Sequence, residues 1–262
     1  MTISDDYETK LNRMNRASQN VNLGTILKQA DNVINSGSPI EEFNVIANST
    51  DTPIMFIQNG SGSVIKIGNE NDYLSITNYG EIRLSGSAIV WEDLRFPASS
   101  INPPGGIGGA AVDTADTPFV GTLLFDSAST EICVGQAQMP HAWKEGSFVS
   151  PHVHWSPTST STGSVVWQMN CDIANVGEPF SGSYTYTSAI TDYADGTIND
   201  HKLVDFANLE MPGKTLSSII LWRISRIGGS GSDTYSDDAR LLEFDIHYQI
   251  DGFGSNEEYI KH

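Results

Sequence analysis

Pro151-His152-Val153-His154-Trp155 is the stretch of this sequence with the most evident chemistry. In an extended chain the period of two turns His152 and His154 to one face, with Ser150 and Ser156, and turns Val153 and Trp155 to the other. Imidazoles about 7 Å apart on one face can share an iron or zinc ion, or three copies of the chain can bring six such nitrogens to a threefold axis. A polar pair on a solvated or intersubunit face has the same pattern. Spacing identifies no third ligand, and His201 and His247 stand singly on polar positions with no role assigned.

The other candidate groups are scattered. His141 and Trp143 lie in the loop MPHAWKEG, where a ring with an apolar face and a polar edge can meet a sugar, a neighbouring subunit or its own core. Glu92-Asp93, Asp237-Asp238 and Glu257-Glu258 are adjacent acids, whereas glycoside hydrolysis needs two carboxyls held about 5–10 Å apart across a cleft. Asp233, Asp237 and Asp238 lack the ordered spacing of an EF-hand loop and read as a solvated acidic loop. Gly146, five residues and then His-x-His resembles the opening of the cupin metal motif, which would imply a jelly-roll metalloenzyme. That motif requires a Glu three or four residues after the second His, and residues 155–163, WSPTSTSTG, contain no acid. A non-enzymatic protein is therefore expected, without a cofactor unless the His pair holds iron or zinc.

Four segments with different patterning would position these groups. Residues 1–42 read as a helical attachment or oligomerisation segment. Ser4 with Asp5, Asp6 and Glu8 marks a helix start, followed by the apolar stripe Tyr7, Leu11 and Met14 and a second stretch containing Leu23 and Leu27. Neither helix is long enough to stand alone in water. Residues 43–95 alternate with period two in short runs, FNVIA, IMFIQ, VIKIG, YLSIT and EIRLS, separated by Asn/Gly/Ser turns. One copy of so thin a meander buries too little to offset its ordering entropy, so three copies wrapped as a shaft are expected. Residues 96–118 are a Pro/Gly-rich strap or linker. Residues 119–262 contain eight strand-like runs, at 119–126, 130–138, 147–156, 164–175, 183–191, 201–210, 217–227 and 240–251. Val165, Trp167, Met169, Cys171 and Ile173 share one face, as do Leu242, Phe244, Ile246, Tyr248 and Ile250. Such one-sided alternation predicts a mainly β protein with a C-terminal antiparallel, jelly-roll-like β-sandwich.

Charge narrows the partners. The 262 residues carry 32 acids against 14 bases, a formal −18, which argues against nucleic acid because phosphate binding rests on Lys and Arg. The region 118–262 alone holds 18 of the acids and 7 of the bases. No window approaches the roughly 20 apolar residues of a membrane span, so membrane insertion is not expected and synthesis in a cytoplasm is. Cys133 and Cys171 have neither CxxC spacing nor a Cys/His cluster and read as two buried thiols.

Three stretches, SGSAIVWEDLRFPASSINPPG at 85–105, AQMPHAWKEGSFVSPHVHWSP at 137–157 and DARLLEFDIHYQIDGFGS at 238–255, resemble structural proteins of tailed-bacteriophage virions. The layout of short helices, thin shaft, strap and sandwich is similar to trimeric fibre and knob proteins. The resemblance implies a homotrimer located in the virion. Another virion protein would hold residues 1–36, and the sandwich would be a knob that meets a host-surface glycan or protein. The N-terminal segment is shorter than a usual tail-fibre anchor, so a capsid decoration or head fibre without a receptor role is the alternative. In this family His-x-His pairs on a shared axis bind iron.

Overall fold

The computed structural model describes residues 56–57, 63–77, 79–106 and 108–261. The expected helices, with Tyr7, Leu11, Met14, Leu23 and Leu27, lie outside the described residues. The chain forms two compact units, 1–89 and 90–262.

In the first unit β1 (Phe56–Ile57), β2 (Ser63–Gly68), β3 (Tyr73–Thr77) and β4 (Ile82–Ser85) form an antiparallel sheet in chain order. The turn between β2 and β3 is fixed by Asn69, whose Oδ1 accepts from the amides of Asn71 and Asp72 at 2.9 and 2.7 Å. Register sets Ile67, Leu74 and Leu84 side by side, and Ile65, Ile76 and Ile82 beside them. Facing pairs share a side of the sheet, so these six residues make one continuous apolar face. All six remain partly or largely exposed, and Ser75 is the buried side chain among the described residues of this unit.

The second unit is an antiparallel jelly-roll β-sandwich. Its strands are β5 (Val90–Pro97), β6 (Ala111–Val112), β7 (Leu123–Phe125), β8 (Thr130–Gln138), β9 (Val149–Pro157), β10 (Thr162–Ala174), β11 (Tyr186–Asp195), β12 (Lys202–Asp205), β13 (Ile219–Ile227) and β14 (Ala239–Ile250). One sheet has the order β11-β10-β13-β8 and the other β12-β9-β14-β7-β6, with β5 beside β14 on the same edge as β7. Each of the eight expected runs contains a strand. The inward side of β10 is Val165, Trp167, Met169 and Cys171, all fully buried, with Ile173 half-buried at the end. Both cysteines are buried thiols, and burial pushes the Cys171 thiol up to about 12.

Trp222 of β13 lies across Gly135 of β8, where a Cβ would fall 2.2 Å from the indole, so this crossing admits only glycine. Trp155, Trp167, Phe125, Phe244 and Met211 complete the centre, each fully buried. Burying a side chain of this size stabilises by roughly 1.5–3 kcal/mol.

Three sequence expectations change. Residues 90–95, placed with the shaft, belong to β5 and pair with β14 from Val90↔Ile250 to Pro97↔Glu243, so the sandwich unit starts at Val90 instead of Phe119. The Pro/Gly stretch after β5 is laid on the sandwich: Gly109 bridges to Ile132, and Ala98, Ile101 and Ala110 enter the core. In β14 a bulge between Leu241 and Glu243 shifts the alternation, so Leu241 is fully buried and Leu242 is not. A bulge adds one residue on one strand, and side chains on its two sides then follow opposite parity.

The loop 228–238 meets solvent at two of its three acids, Asp238 being exposed and Asp237 half-buried, but not at the third. Asp233 is fully buried and accepts from Arg226 Nη2 at 2.8 Å and Nε at 3.1 Å. Arg226 also donates to the carbonyls of Phe125, Asp237 and Tyr235 at 2.9, 2.7 and 2.5 Å, tying the loop to β7 and β13.

Candidate functional site

Two outward faces of the sandwich carry chemistry. The first is on the sheet containing β9 and β14. Register places Asp205, His152, Asp245 and Arg95 in one row across β12, β9, β14 and β5. Adjacent rows hold Leu203, His154 and Glu243, and Ser150, His247 and Asp93. Residues directly opposite in neighbouring strands point the same way, so four strands deliver Asp93, Arg95, His154, Leu203, Glu243, Asp245 and His247 to the lining of one shallow depression of about 420 Å³.

His152 is 6% exposed, and its Nε2 lies 2.9 Å from Asp205 Oδ1. Its Nδ1 faces Asp245 Oδ1 at 3.5 Å without the alignment of a hydrogen bond, and both atoms are buried with no hydrogen-bond partner. His247 stands edge-on to His152, ring centres 4.0 Å apart. Its Nε2 meets Asp93 Oδ1 at 3.0 Å and Asp245 Oδ2 at 3.1 Å. His154 turns away from His152: its Nδ1 is 2.8 Å from His201 Nε2, and its Nε2 is 3.6 Å from Asp245 Oδ2. Arg95 is engaged by Glu243 through two contacts of 2.6 and 2.8 Å.

Burial alone would raise the Asp245 carboxyl. The imidazoles of His152 and His154 against its oxygens and the positive charge of His154 and His247 outweigh it, holding Asp245 well below the usual carboxylate range. Hydrogen bonding to Asp245 raises His154. The expected pair His152/His154 thus shares a face, but among the described residues His152, Asp245 and His247 are the three that offer ligand atoms within 4.8 Å of one another. Asp245 and His247 were missed by sequence reasoning, although their i, i+2 spacing on an alternating strand put them on one outward face. Nothing in the sequence said that β14 runs beside β9 with Asp245 opposite His152.

The second face is on the other sheet. Thr187, Asn170, Arg223 and Val134 form a row across β11, β10, β13 and β8, next to Asp172, Leu221 and Gln136. Asn170 Nδ2 donates to Thr187 Oγ1 at 2.7 Å, and Arg223 Nη2 donates to Asn170 Oδ1 at 2.7 Å. The Arg223 guanidinium lies 4.5 Å over the ring of Tyr184, which is 50% exposed. Toward the far end of β10, Ser164 pairs with Tyr193, whose ring is 54% exposed. Six residues of extended chain separate Ser164 from Asn170, so the two rings bracket a polar strip on the order of 20 Å long.

The loop expected to contact a receptor does not do so through Trp143. Trp143 is fully buried and bridges to Ile250, folded back over its own core. His141 is half-buried, with Nδ1 2.6 Å from Ser255 Oγ.

No family model matches the sequence, and no curated protein matches it. Among solved structures the chain is similar to a family 35 carbohydrate binding module from Clostridium thermocellum, at 10% identity and TM-score 0.37, covering 63% of this chain and 99% of that one. It is also similar to the CBM36-1 domain of a multidomain xylanase from the hindgut metagenome of Trinervitermes trinervoides, at 11% identity and TM-score 0.34, covering 59% and 96%. A third is infectious bursal disease virus Gt strain, at 12% identity and TM-score 0.31, covering 78% and 47%. Each is a likeness of β-sandwich layout alone.

Proposed function

We propose that this chain is a non-enzymatic structural protein of a tailed-phage virion, a homotrimeric fibre held to the particle through residues 1–36. The sandwich is its knob, and the Tyr184–Arg223–Asn170 face binds glycan on the host surface. The carrying observation is the sheet of β2 to β4, which aligns six apolar side chains on one face and leaves all of them partly exposed. Covering that face with sister copies supplies the burial a single copy lacks.

The strip between Tyr184 and Tyr193 supports the glycan reading. It combines exposed rings, which stack on the apolar face of a sugar, with the Arg223 guanidinium, held in place by the buried Asn170 and suited to hydroxyls. Three knobs engaging together gain apparent affinity through effective concentration, so each contact need only be weak. The acidic exterior keeps projecting copies apart and off nucleic acid.

Binding of the fluorescently labelled full chain to host-type bacterial cells tests this. Tyr184→Ala and Arg223→Ala are each expected to weaken binding by about tenfold or more, the size of effect at an aromatic or arginine anchor, and soluble surface polysaccharide should compete. Unchanged binding in both variants would remove this face from the account. A chain that binds no cells and is labelled by antibody on the capsid would be a decoration protein.

A further inference from the structure

We infer that the β9–β14 face holds one divalent transition-metal ion per chain, ligated by His152 Nδ1, the Asp245 carboxylate and His247 Nε2, with water completing the shell. The two orphaned atoms carry the argument. Each sits in a residue more than nine-tenths buried, and they point at one another across 3.5 Å. An unmet polar atom at such depth costs free energy comparable to a lost hydrogen bond. Asp205 and Ser150 explain which nitrogen is bare: Asp205 Oδ1 at 2.9 Å and Ser150 Oγ at 3.5 Å both face Nε2, and a proton held there leaves the Nδ1 lone pair facing a carboxylate oxygen. Lone pair against lone pair repels, and a cation placed between them converts both into ligands.

The dimensions agree with that assignment. Two bonds of about 2.1 Å at a tetrahedral angle separate their ligand atoms by about 3.4 Å. His152 Nδ1 is 3.5 Å from Asp245 Oδ1, His247 Nε2 is 3.1 Å from Asp245 Oδ2, and one ligand atom of each residue lies within 4.8 Å of the others, so a small closing of the three completes the shell. Two imidazoles with one carboxylate suit zinc and its first-row neighbours better than calcium or magnesium, which take all-oxygen shells. Asp205 stands at the far nitrogen of His152, where a carboxylate fixes the tautomer of a ligating histidine, and Asp93 adds negative charge 3.0 Å from the ligating Nε2 of His247 itself. His154 and His201 pair with one another and are outside the ligand set. This arrangement differs from an axial His-x-His site because a single chain supplies every protein ligand.

The test is zinc titration of the full-length chain after stripping with a chelator, read by calorimetry and by the visible absorption of a cobalt-loaded sample. One zinc per chain is expected, with stoichiometric binding lost in His152→Gln and His247→Gln. Asp205→Asn should weaken binding by about 10–100-fold, and His141→Gln should change nothing. His247 is about one-third exposed, so the far-ultraviolet spectrum of His247→Gln should stay that of the parent. No bound zinc, one zinc per three chains, or full binding retained in His152→Gln and His247→Gln would each overturn the inference. The attachment reading is tested separately, since Tyr184→Ala leaves all these ligands in place.

Discussion

Replacing Arg226 by alanine is expected to destabilise the protein by about 3–5 kcal/mol, the cost of removing one partner from a buried ion pair. Arg226 and Asp233 both have side chains fully excluded from solvent. In the variant, Asp233 keeps the Val166 amide at 2.9 Å but loses its counter-charge, and the carbonyls of Phe125, Tyr235 and Asp237 lose a donor. Lysine restores charge without the planar fork that reaches several acceptors at once, so Arg226→Lys should fall between parent and alanine. Replacing both members, Arg226→Met with Asp233→Val, removes the unpaired charge and should recover part of the loss, the three carbonyls and the Val166 amide staying without partners. Urea unfolding at one protein concentration measures all four. A cost under about 1 kcal/mol for Arg226→Ala, the range of an exposed pair, would mean that the loop 228–238 is not anchored as described.

Trp167→Ala should have an effect of similar size, about 3–5 kcal/mol, as for other large aromatic residues emptied from a core. Trp167 is fully buried in β10 and meets Phe125 edge-on at 5.1 Å and Trp155 at 6.2 Å. Its neighbours come from both sheets, so the space left by alanine lies in the plane where the sheets join and cannot close by moving one loop. Trp167→Phe is expected to cost less than its lost volume implies. The indole Nε1 is buried without a partner, and phenylalanine removes that unmet donor along with the larger ring. For a domain of this length each kcal/mol shifts the unfolding midpoint by about 2–4 °C, so alanine and phenylalanine should separate clearly in a thermal scan.

Period-two alternation made the sandwich readable, because a half-buried antiparallel strand writes its inward face at every second residue, as β10 does from Val165 to Cys171. The same rule put Val153 and Trp155 inside and the two histidines outside. It failed where parity or partnership depends on another strand. The bulge after Leu241 resets the face of β14 without a mark such as Gly or Pro. The run Val90–Pro97 reads like the short strands before it, yet its register belongs to β14. Trp143 sits in a polar loop, and its burial follows from the Ile250 bridge, more than 100 residues away in sequence. The site was legible by halves for the same reason. His152 and His154 announce themselves by spacing, whereas Asp245, His247, Asp93 and Asp205 join them only through three cross-strand registers.

If sister chains cover the apolar face of β2 to β4, the protein is a trimer in solution. Sedimentation equilibrium of the full-length protein at micromolar concentration tests it most directly. A single species of three times the 28.4 kDa chain mass is expected. A species at the chain mass itself would contradict it, because that face would then stand uncovered in a stable monomer.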